Sequence, residues 1–408
     1  MPQGFFSTVG LTTSAKRAVP LLPRCGECKL NLNCQSPKMP VDGQGKRGVL
    51  VVAEAPGREE DLHNRPLIGA AGQLLRRCLD KIGVDLNRDC WLTNSLICRP
   101  EGNRTPTDNE IGHCRPNVVN AVTQLQPEMI LLLGATAVKS VIGWLWKEDV
   151  SGVGRWVGQR IPSQKLNTWV CPAWHPSYLE RLSKTRDYPV LEKLFVEHLE
   201  AAFALKGRPW AVVPDHAAQV KVLYNSNEAV QFIKQMQQNN RPVAFDIETD
   251  RLKPDHPEAT IWSASLSDGE TTISYPWHDK NVKATLKLLR SSVPKLGWNA
   301  KFETRWLSLV CGVRINNFVF DGMLGTHVLD NRSETKSLKF QAFVRLGQDA
   351  YDAEIKPYLR GVKSGGNEPN RIREAPLAKL LLYGGLDALL EWLIDVAQAK
   401  ELGIALAG

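Results

Sequence analysis

Gly48-Val49-Leu50-Val51-Val52-Ala53 runs without a charge and then meets Glu54-Ala55-Pro56-Gly57, an acid followed by a small, proline-containing loop. A short apolar run without polar alternation predicts a strand buried on both faces. Working outward, similar runs stand at 90–96, 129–133 and 169–173, and helical apolar spacing occupies 71–82, 109–125 and 135–144. Strand and helix in alternation predict a parallel sheet flanked by helices, an α/β/α sandwich. Ligands in such sheets bind beyond the carboxyl ends of the strands. Polar residues gather there: Glu54 to Asp61 after the first strand, Asn94 at the end of the second, His175 just after the fourth.

The chain has 408 residues, enough for two or three domains at about 100–200 residues each. Hydrophobic residues make up 43% and charged residues 23%, an ordinary globular balance. The formal charge of +8 suits a polyanionic partner such as nucleic acid, and equally suits a basic surface with no ligand. Residues 1–20 lack an apolar core with a cleavage site, and no apolar run is long enough to cross a bilayer. The expectation is a cytoplasmic protein with no membrane partner. Nine cysteines in a reducing compartment point to a metal site rather than a disulfide framework.

Residues 1–24 read as a flexible lead-in, 25–205 as the first domain, 206–217 as a linker interrupted by Gly207, Pro209 and Pro214, and 218–408 as the second domain. In the second, strands are predicted at 220–224, 243–249, 260–266 and 271–275. Helices are predicted at 228–238, 279–292, 302–310, 322–329 and 378–399, which makes a mixed sheet with helical cover. Ser364-Gly365-Gly366-Asn367 reads as a flexible loop.

Cys25 and Cys28 form a C-x-x-C pair, and Cys98 and Cys114 flank a turn-rich stretch. Four thiolates hold either a tetrahedral zinc or an iron–sulfur cluster. Cys34, Cys78, Cys90, Cys171 and Cys311 lack such spacing and read as core residues. The stretch Thr93-Asn94-Ser95-Leu96-Ile97-Cys98-Arg99-Pro100, with Gly102-Asn103-Arg104-Thr105-Pro106-Thr107 and Cys114-Arg115-Pro116, closely resembles family 4 uracil-DNA glycosylases. So do Ala53 to Gly57, Glu60-Asp61, Arg65-Pro66, Gly69, Ala71 to Leu75 and His175-Pro176-Ser177, in the family's order. The resemblance spans roughly 25–205 and implies that Cys25, Cys28, Cys98 and Cys114 ligate a [4Fe–4S] cluster that braces the chain.

Excising uracil requires the nucleotide to be extruded and its Watson–Crick edge read. A carboxamide pairs with O4 and N3–H together, and Asn94 is the candidate. A donor aimed at O2 stabilises the departing anion, a role that suits His175. Glu54 is the first candidate to hold the attacking water and Asp61 the second, while Ala55 and Gly57 let backbone approach the base. Where the family carries Phe in Arg-Pro-Phe-Val-Gly, this chain has Arg65-Pro66-Leu67-Ile68-Gly69, and Ala53 replaces a usual Gly. Losing an aromatic platform for the base costs about 1–3 kcal/mol, so Leu67 leaves either a weak glycosylase or a uracil reader.

In Val243-Ala244-Phe245-Asp246-Ile247-Glu248-Thr249, Asp246 and Glu248 fall on one face of a strand. A solvated strand face also carries such a pair, but carboxylates embedded among apolar residues need a counter-charge. Downstream come Trp298-Asn299-Ala300-Lys301-Phe302-Glu303 and Tyr383-Gly384-Gly385-Leu386-Asp387, the last with Tyr383 and Asp387 on one helix face. This ordered set, over roughly 241–398, resembles the 3′→5′ proofreading exonuclease domain of family A DNA polymerases. The resemblance implies a ribonuclease H-like fold. It also implies two Mg²⁺ or Mn²⁺ held by Asp246, Glu248, Glu303 and Asp387, and a Tyr383 that positions the attacking water. Glu303 stands where Asp is more familiar, Asn299 and Lys301 would orient the neighbouring chain, and Asp321 is a supporting acid.

Together these readings predict an α/β protein that excises uracil and hydrolyses DNA from the 3′ end in replication or repair. Its expected partners are single-stranded 3′ ends, uracil-containing DNA and a DNA polymerase module or subunit, in a bacterial or phage-infected cell. The competing readings are a uracil-reading or recruitment module with an inactive glycosylase site, the front part of a polymerase, and a zinc ion at the cysteines.

Overall fold

The computed structural model describes residues 25, 27–146, 149–361 and 366–406. The 1–24 lead-in and residues Ser364 and Gly365 of the proposed loop lie outside the described residues. The strands are β1 (Asp42–Gly43), β2 (Val49–Ala53), β3 (Cys90–Asn94), β4 (Met129–Leu133), β5 (Ile161–Ser163) and β6 (Thr168–Ala173), then β7 (Val220–Val222), β8 (Val243–Thr249), β9 (Ile261–Ser267), β10 (Thr272–Pro276), β11 (Lys295–Gly297) and β12 (Phe318–Asp321). They fall into two compact units.

In the first unit the strands run β1-β3-β2-β4-β6. β2 pairs in parallel with β3 and β4, β4 pairs in parallel with β6, and β1 is antiparallel to β3. Every residue of β2 and β4 is buried, as unbroken apolar strands covered on both faces must be. The helices Ala70–Asp80 and Tyr188–Phe203 supply Leu74, Leu75, Leu79, Phe195 and Leu199 to the core on one face. The helix Asp108–Leu125 starts at a capping box, Thr107 and Glu110 each satisfying the other's backbone N–H.

In the second unit the order is β12-β11-β8-β9-β10-β7. β9 is antiparallel to β8 and β10, whereas β11 runs parallel to β8 and β12, and β7 parallel to β10. The mixed sheet packs on one side against Ile233, Met236, Leu288, Leu289 and Trp306. On the other lies the long helix Leu377–Glu401, in contact with β7 to β11. Gly384 and Gly385 make that approach possible. A Cβ at Gly385 would sit 2.3 Å from Val220 Cγ1, and one at Gly384 would sit 2.9 Å from Ser265 Oγ. No helix among the described residues is long and apolar enough to cross a membrane.

Candidate active sites

The carboxyl edge of the first sheet collects the candidate residues because the strands are parallel and in register. Ala53 pairs with Asn94, and Leu133 with Ala173, so Asn94, Glu54, Gly134 and the loop to His175 emerge side by side. Ser95 donates its amide and its hydroxyl to Ala53 O, both at 2.8 Å, and Leu96 N donates to Glu54 O at 3.1 Å, which knits the ends of β2 and β3. Asn94 is buried, with Nδ2 3.9 Å from Met39 Sδ. Glu54 accepts the Thr136 hydroxyl at 3.0 Å. His175 caps the helix Pro176–Arg181, its Nδ1 accepting the Ser177 amide at 3.2 Å and lying 2.7 Å from the Ser177 hydroxyl. With Nδ1 an acceptor, the ring proton resides on Nε2. Burial, helped by the Arg181 charge, pushes His175 down to about 4, so the ring is neutral near pH 7. Gly134, at φ +84°, lets the ring come close: a Cβ there would lie 2.7 Å from His175 Cβ.

Four other predicted residues have different surroundings. Asp61 is 4% exposed, and its oxygens accept the Gln35 and Ser36 amides at 3.1 and 2.7 Å, with Arg99 3.7 Å away. It ties the entering chain to the cysteine region. Leu67 adopts φ 56°, its carbonyl accepts from Arg76 at 2.5 Å, and its side chain joins the hydrophobic core beside Leu74 and Leu75. Gly57 stands at the start of the helix Arg58–His63, and Ala55 packs against the cysteine cluster.

Cys25, Cys28, Cys98 and Cys114 line one pocket with Leu30 and Ile97. Polar hydrogens are aimed at their sulfurs: Lys38 N at Cys98 (3.2 Å), Ile97 N at Cys114 (3.4 Å), and Asn117 Nδ2 at both Cys25 and Cys114 (3.7 Å each). Burial pushes Cys98 up to about 12 and Cys114 up to about 11, so these thiols ionise only beside a cation. Cys34, expected in the core, is half-buried at the edge of this same group, and Cys311 is half-buried as well.

In the second unit Asp246 and Glu248 occupy the two half-buried positions of an otherwise buried β8. Gly384 and Gly385 seat the helix so that Asp387 meets them, and one oxygen from each of the three carboxylates lies within 4.8 Å of the others. Among the described residues this is the only such group of acids, histidines or cysteines. Desolvation first, then repulsion from Asp387, raises Asp246 to about 7, and Glu248 is driven well above its usual range by burial and by both neighbours. Asp246 Oδ2 has no hydrogen-bond partner. Desolvated, mutually repelling carboxylates with one oxygen left unpaired make a setting whose electrostatics a cation would relieve.

Glu303 lies outside that trio. It is 4% exposed on the helix Lys301–Cys311, with Oε2 unpartnered, and burial and the Asp246 charge hold its carboxyl well above the usual range. Asp321 accepts four amides, from Asn299, Ala300, Met323 and Leu324 at 2.9–3.3 Å, and so clamps the turn that starts the Glu303 helix. Asn299 takes a left-handed φ of 64° in that turn, and Lys301 is exposed. Tyr383 is buried, and its hydroxyl accepts from Lys339 Nζ at 2.9 Å. Tyr351 donates its hydroxyl to Asp387. Sequence reading missed Lys339 and Tyr351. It also missed Glu391 and Asp395, buried acids four and eight positions after Asp387 on the same helix face, a spacing that was legible. A cleft of about 640 Å³ opens beside Glu248, lined by Arg251, Leu252, Phe302, Arg360 and Asn370 among others.

Residues 40–200 match the uracil DNA glycosylase superfamily, and residues 220–391 match a 3′–5′ exonuclease family. A type-4 uracil-DNA glycosylase of Pyrobaculum aerophilum is 34% identical over 169 residues, covering 40% of this chain and 82% of that protein. A DNA polymerase of Bacillus phage SP01 is 24% identical over 386 residues, covering 84% of this chain and 39% of the polymerase, a span that enters both units. Among solved structures, RNase D of Trypanosoma brucei in complex with GMP aligns at a TM-score of 0.36 and 15% identity, covering 44% of this chain and 57% of the other. The chain belongs through its first unit to the type-4 uracil-DNA glycosylases, and its second unit is a 3′–5′ exonuclease domain of the family A polymerase type.

Proposed function

We propose that this protein excises uracil from DNA with its first unit and removes 3′-terminal nucleotides with its second, in the service of a DNA polymerase. The observation that carries the nuclease reading is the convergence of Asp246, Glu248 and Asp387 with an unpaired oxygen on Asp246. These three would hold the divalent metal, with Glu303 behind them. Mg²⁺ or Mn²⁺ bound there supplies an activated water and neutralises the leaving oxygen. Tyr383, kept protonated by burial and the Asp387 charge, donates to the water. Leu252 and Phe302 give the adjoining cleft apolar walls for a terminal base, and Arg360 gives it a cationic one.

In the first unit Asn94 reads the uracil edge and Glu54 holds the water. A neutral His175 with Nε2–H free donates to O2 as negative charge develops there. The cysteines fit an iron–sulfur cluster better than zinc. Tetrahedral zinc at about 2.3 Å from each sulfur brings sulfurs within about 4 Å of one another. No three of these cysteines bring their sulfurs within 4.8 Å of one another, as the three carboxylates do with their oxygens. Bound there, the cluster would brace the pocket wall, and the N–H donors on Cys25, Cys98 and Cys114 would stabilise the thiolates.

The test uses the full chain and a labelled single strand carrying one uracil. With EDTA present, alkali-sensitive breaks should appear at uracil and disappear in Asn94→Ala. Preferential binding to uracil without breaks would make the first unit a reader instead. With Mn²⁺ present, the strand should shorten from its 3′ end, and Asp246→Ala should abolish the shortening. Equal shortening by both proteins would remove the nuclease reading. Iron content near four per chain supports the cluster, whereas stoichiometric zinc overturns it.

A further inference from the structure

Lys339 is the one ammonium hydrogen-bonded inside the carboxylate site among the described residues, and no motif of the second unit predicts it. It enters on the helix Leu338–Leu346, in Ser337-Leu338-Lys339-Phe340-Gln341. Its Nζ donates to Tyr383 Oη at 2.9 Å and lies 4.9 Å from the Tyr383 ring and 5.7 Å from the Tyr351 ring. Those two rings stand 5.9 Å apart, tilted by 32°. Tyr351 in turn donates to Asp387. One phenol therefore bonds the trio through Asp387, and the ammonium bonds the other and lies against both rings. Burial works against the charge of Lys339, but Asp387, Asp352, Glu248 and Asp246 outweigh it, and the group stays a cation.

A phenol has one proton to give and accepts through the oxygen. An ammonium fixed on the accepting side leaves the O–H to point elsewhere, and makes it a stronger donor. Tyr383 stands one helical turn from Asp387 on the same helix, and its proton is held by burial and by the nearby charges of Asp387, Glu248 and Asp246, so the trio lies within its surroundings. A fixed positive charge near the trio also opposes the entry of a second cation.

We propose that Lys339 is a positioning residue for hydrolysis, orienting the Tyr383 hydroxyl toward the attacking water and tuning how tightly Asp246, Glu248 and Asp387 hold metal. This rests on the nuclease reading of the site and deepens it. Lys339 touches neither the metal nor the scissile phosphate; it acts through Tyr383 and through its field.

The test compares wild type with Lys339→Met, Lys339→Arg, Tyr383→Phe and the Lys339→Met/Tyr383→Phe pair in the full chain. Exonuclease kcat and KM are measured on single-stranded DNA at saturating Mn²⁺, and Mn²⁺ binding is measured by calorimetry without DNA. Lys339→Met should lose about tenfold or more in kcat with little change in KM, and Lys339→Arg should recover most of it. The double variant should be no slower than Tyr383→Phe alone, because residues acting as a unit are not additive. Mn²⁺ should bind Lys339→Met several-fold more tightly than wild type. Fully additive losses, wild-type kcat in Lys339→Met, or Mn²⁺ affinity that is unchanged or weaker would each overturn the proposal. If the wild-type chain shortens no DNA, the nuclease reading fails. The calorimetry still decides the field effect: tighter Mn²⁺ binding in Lys339→Met upholds it and unchanged binding overturns it.

Discussion

At the scale of single residues, protonation decides much of the chemistry. His175 has its folded pKa depressed to about 4 from an ordinary 6.5, chiefly by burial. The unfolded chain therefore binds the extra proton first as pH falls. The stability that depends on a neutral His175 is fully present above about pH 6.5 and is lost as pH drops toward about 4. Thermal melts of the first unit should shift down over that window, and the slope should flatten in His175→Gln. Uracil excision should show no inflection near the ordinary histidine value, since the ring is already neutral there; a His175-dependent acid limb at about pH 6.5 would contradict a ring held neutral by burial. The motif residues were legible one by one, because Asn94, His175, Asp246, Glu248 and Asp387 each stand in a recognisable local pattern. Lys339 and Tyr351 were not, since a lone lysine in an apolar helix and a tyrosine in a loop become meaningful only through partners 44 and 36 positions away. Asp61, the second candidate after Glu54 to hold the water, accepts two backbone amides, a use of a carboxylate that leaves no mark in sequence.

At the scale of elements, the long helix Leu377–Glu401 and β8 are the pair whose contact makes the site. Its closeness depends on Gly384 and Gly385, at which any side chain meets Ser265 or Val220. Gly385→Ala should push the helix off the sheet. The overpacking costs about 1–3 kcal/mol, and a displacement of Asp387 from Asp246 should cost far more in rate than in stability. Urea unfolding together with nuclease assays checks this: loss of activity by tenfold or more in a protein that still folds is expected, and unaltered activity would show that the helix seat tolerates a methyl group. The predicted strands at 129–133 and 243–249 coincide with β4 and β8, because unbroken or regularly interrupted apolar runs are local signals. β11 and β12, of three and four residues, escaped: Lys295-Leu296-Gly297 holds a single large apolar side chain, and Phe318 to Asp321 runs straight into the next helix. The helix Leu338–Leu346 escaped too, and with it the place of Lys339.

At the scale of the whole molecule, the proposed function gives two units in one chain different cofactor demands. EDTA should abolish 3′ shortening while leaving uracil excision intact. Mn²⁺ should raise the melting transition of the second unit alone, since a ligand stabilises only the fold that binds it, by RT ln(1 + [L]/Kd). Scanning calorimetry with and without Mn²⁺ reads both transitions, and a uniform shift of the two would count against separate sites. The net charge of +8 adds a salt-sensitive, sequence-independent attraction to DNA, so binding should weaken steeply between low and physiological salt. By itself the sequence determined the α/β class and the kinship of each half of the chain, because hydrophobic period and motif spacing are written in neighbouring residues. Tertiary structure alone decided that Leu67 turns into the core at a left-handed φ, that Glu303 stands apart from the close trio, and that an ammonium rests on the Tyr383 hydroxyl. Those outcomes depend on which distant side chains share a small desolvated volume, and packing sets that only once the sheet and its helices have closed.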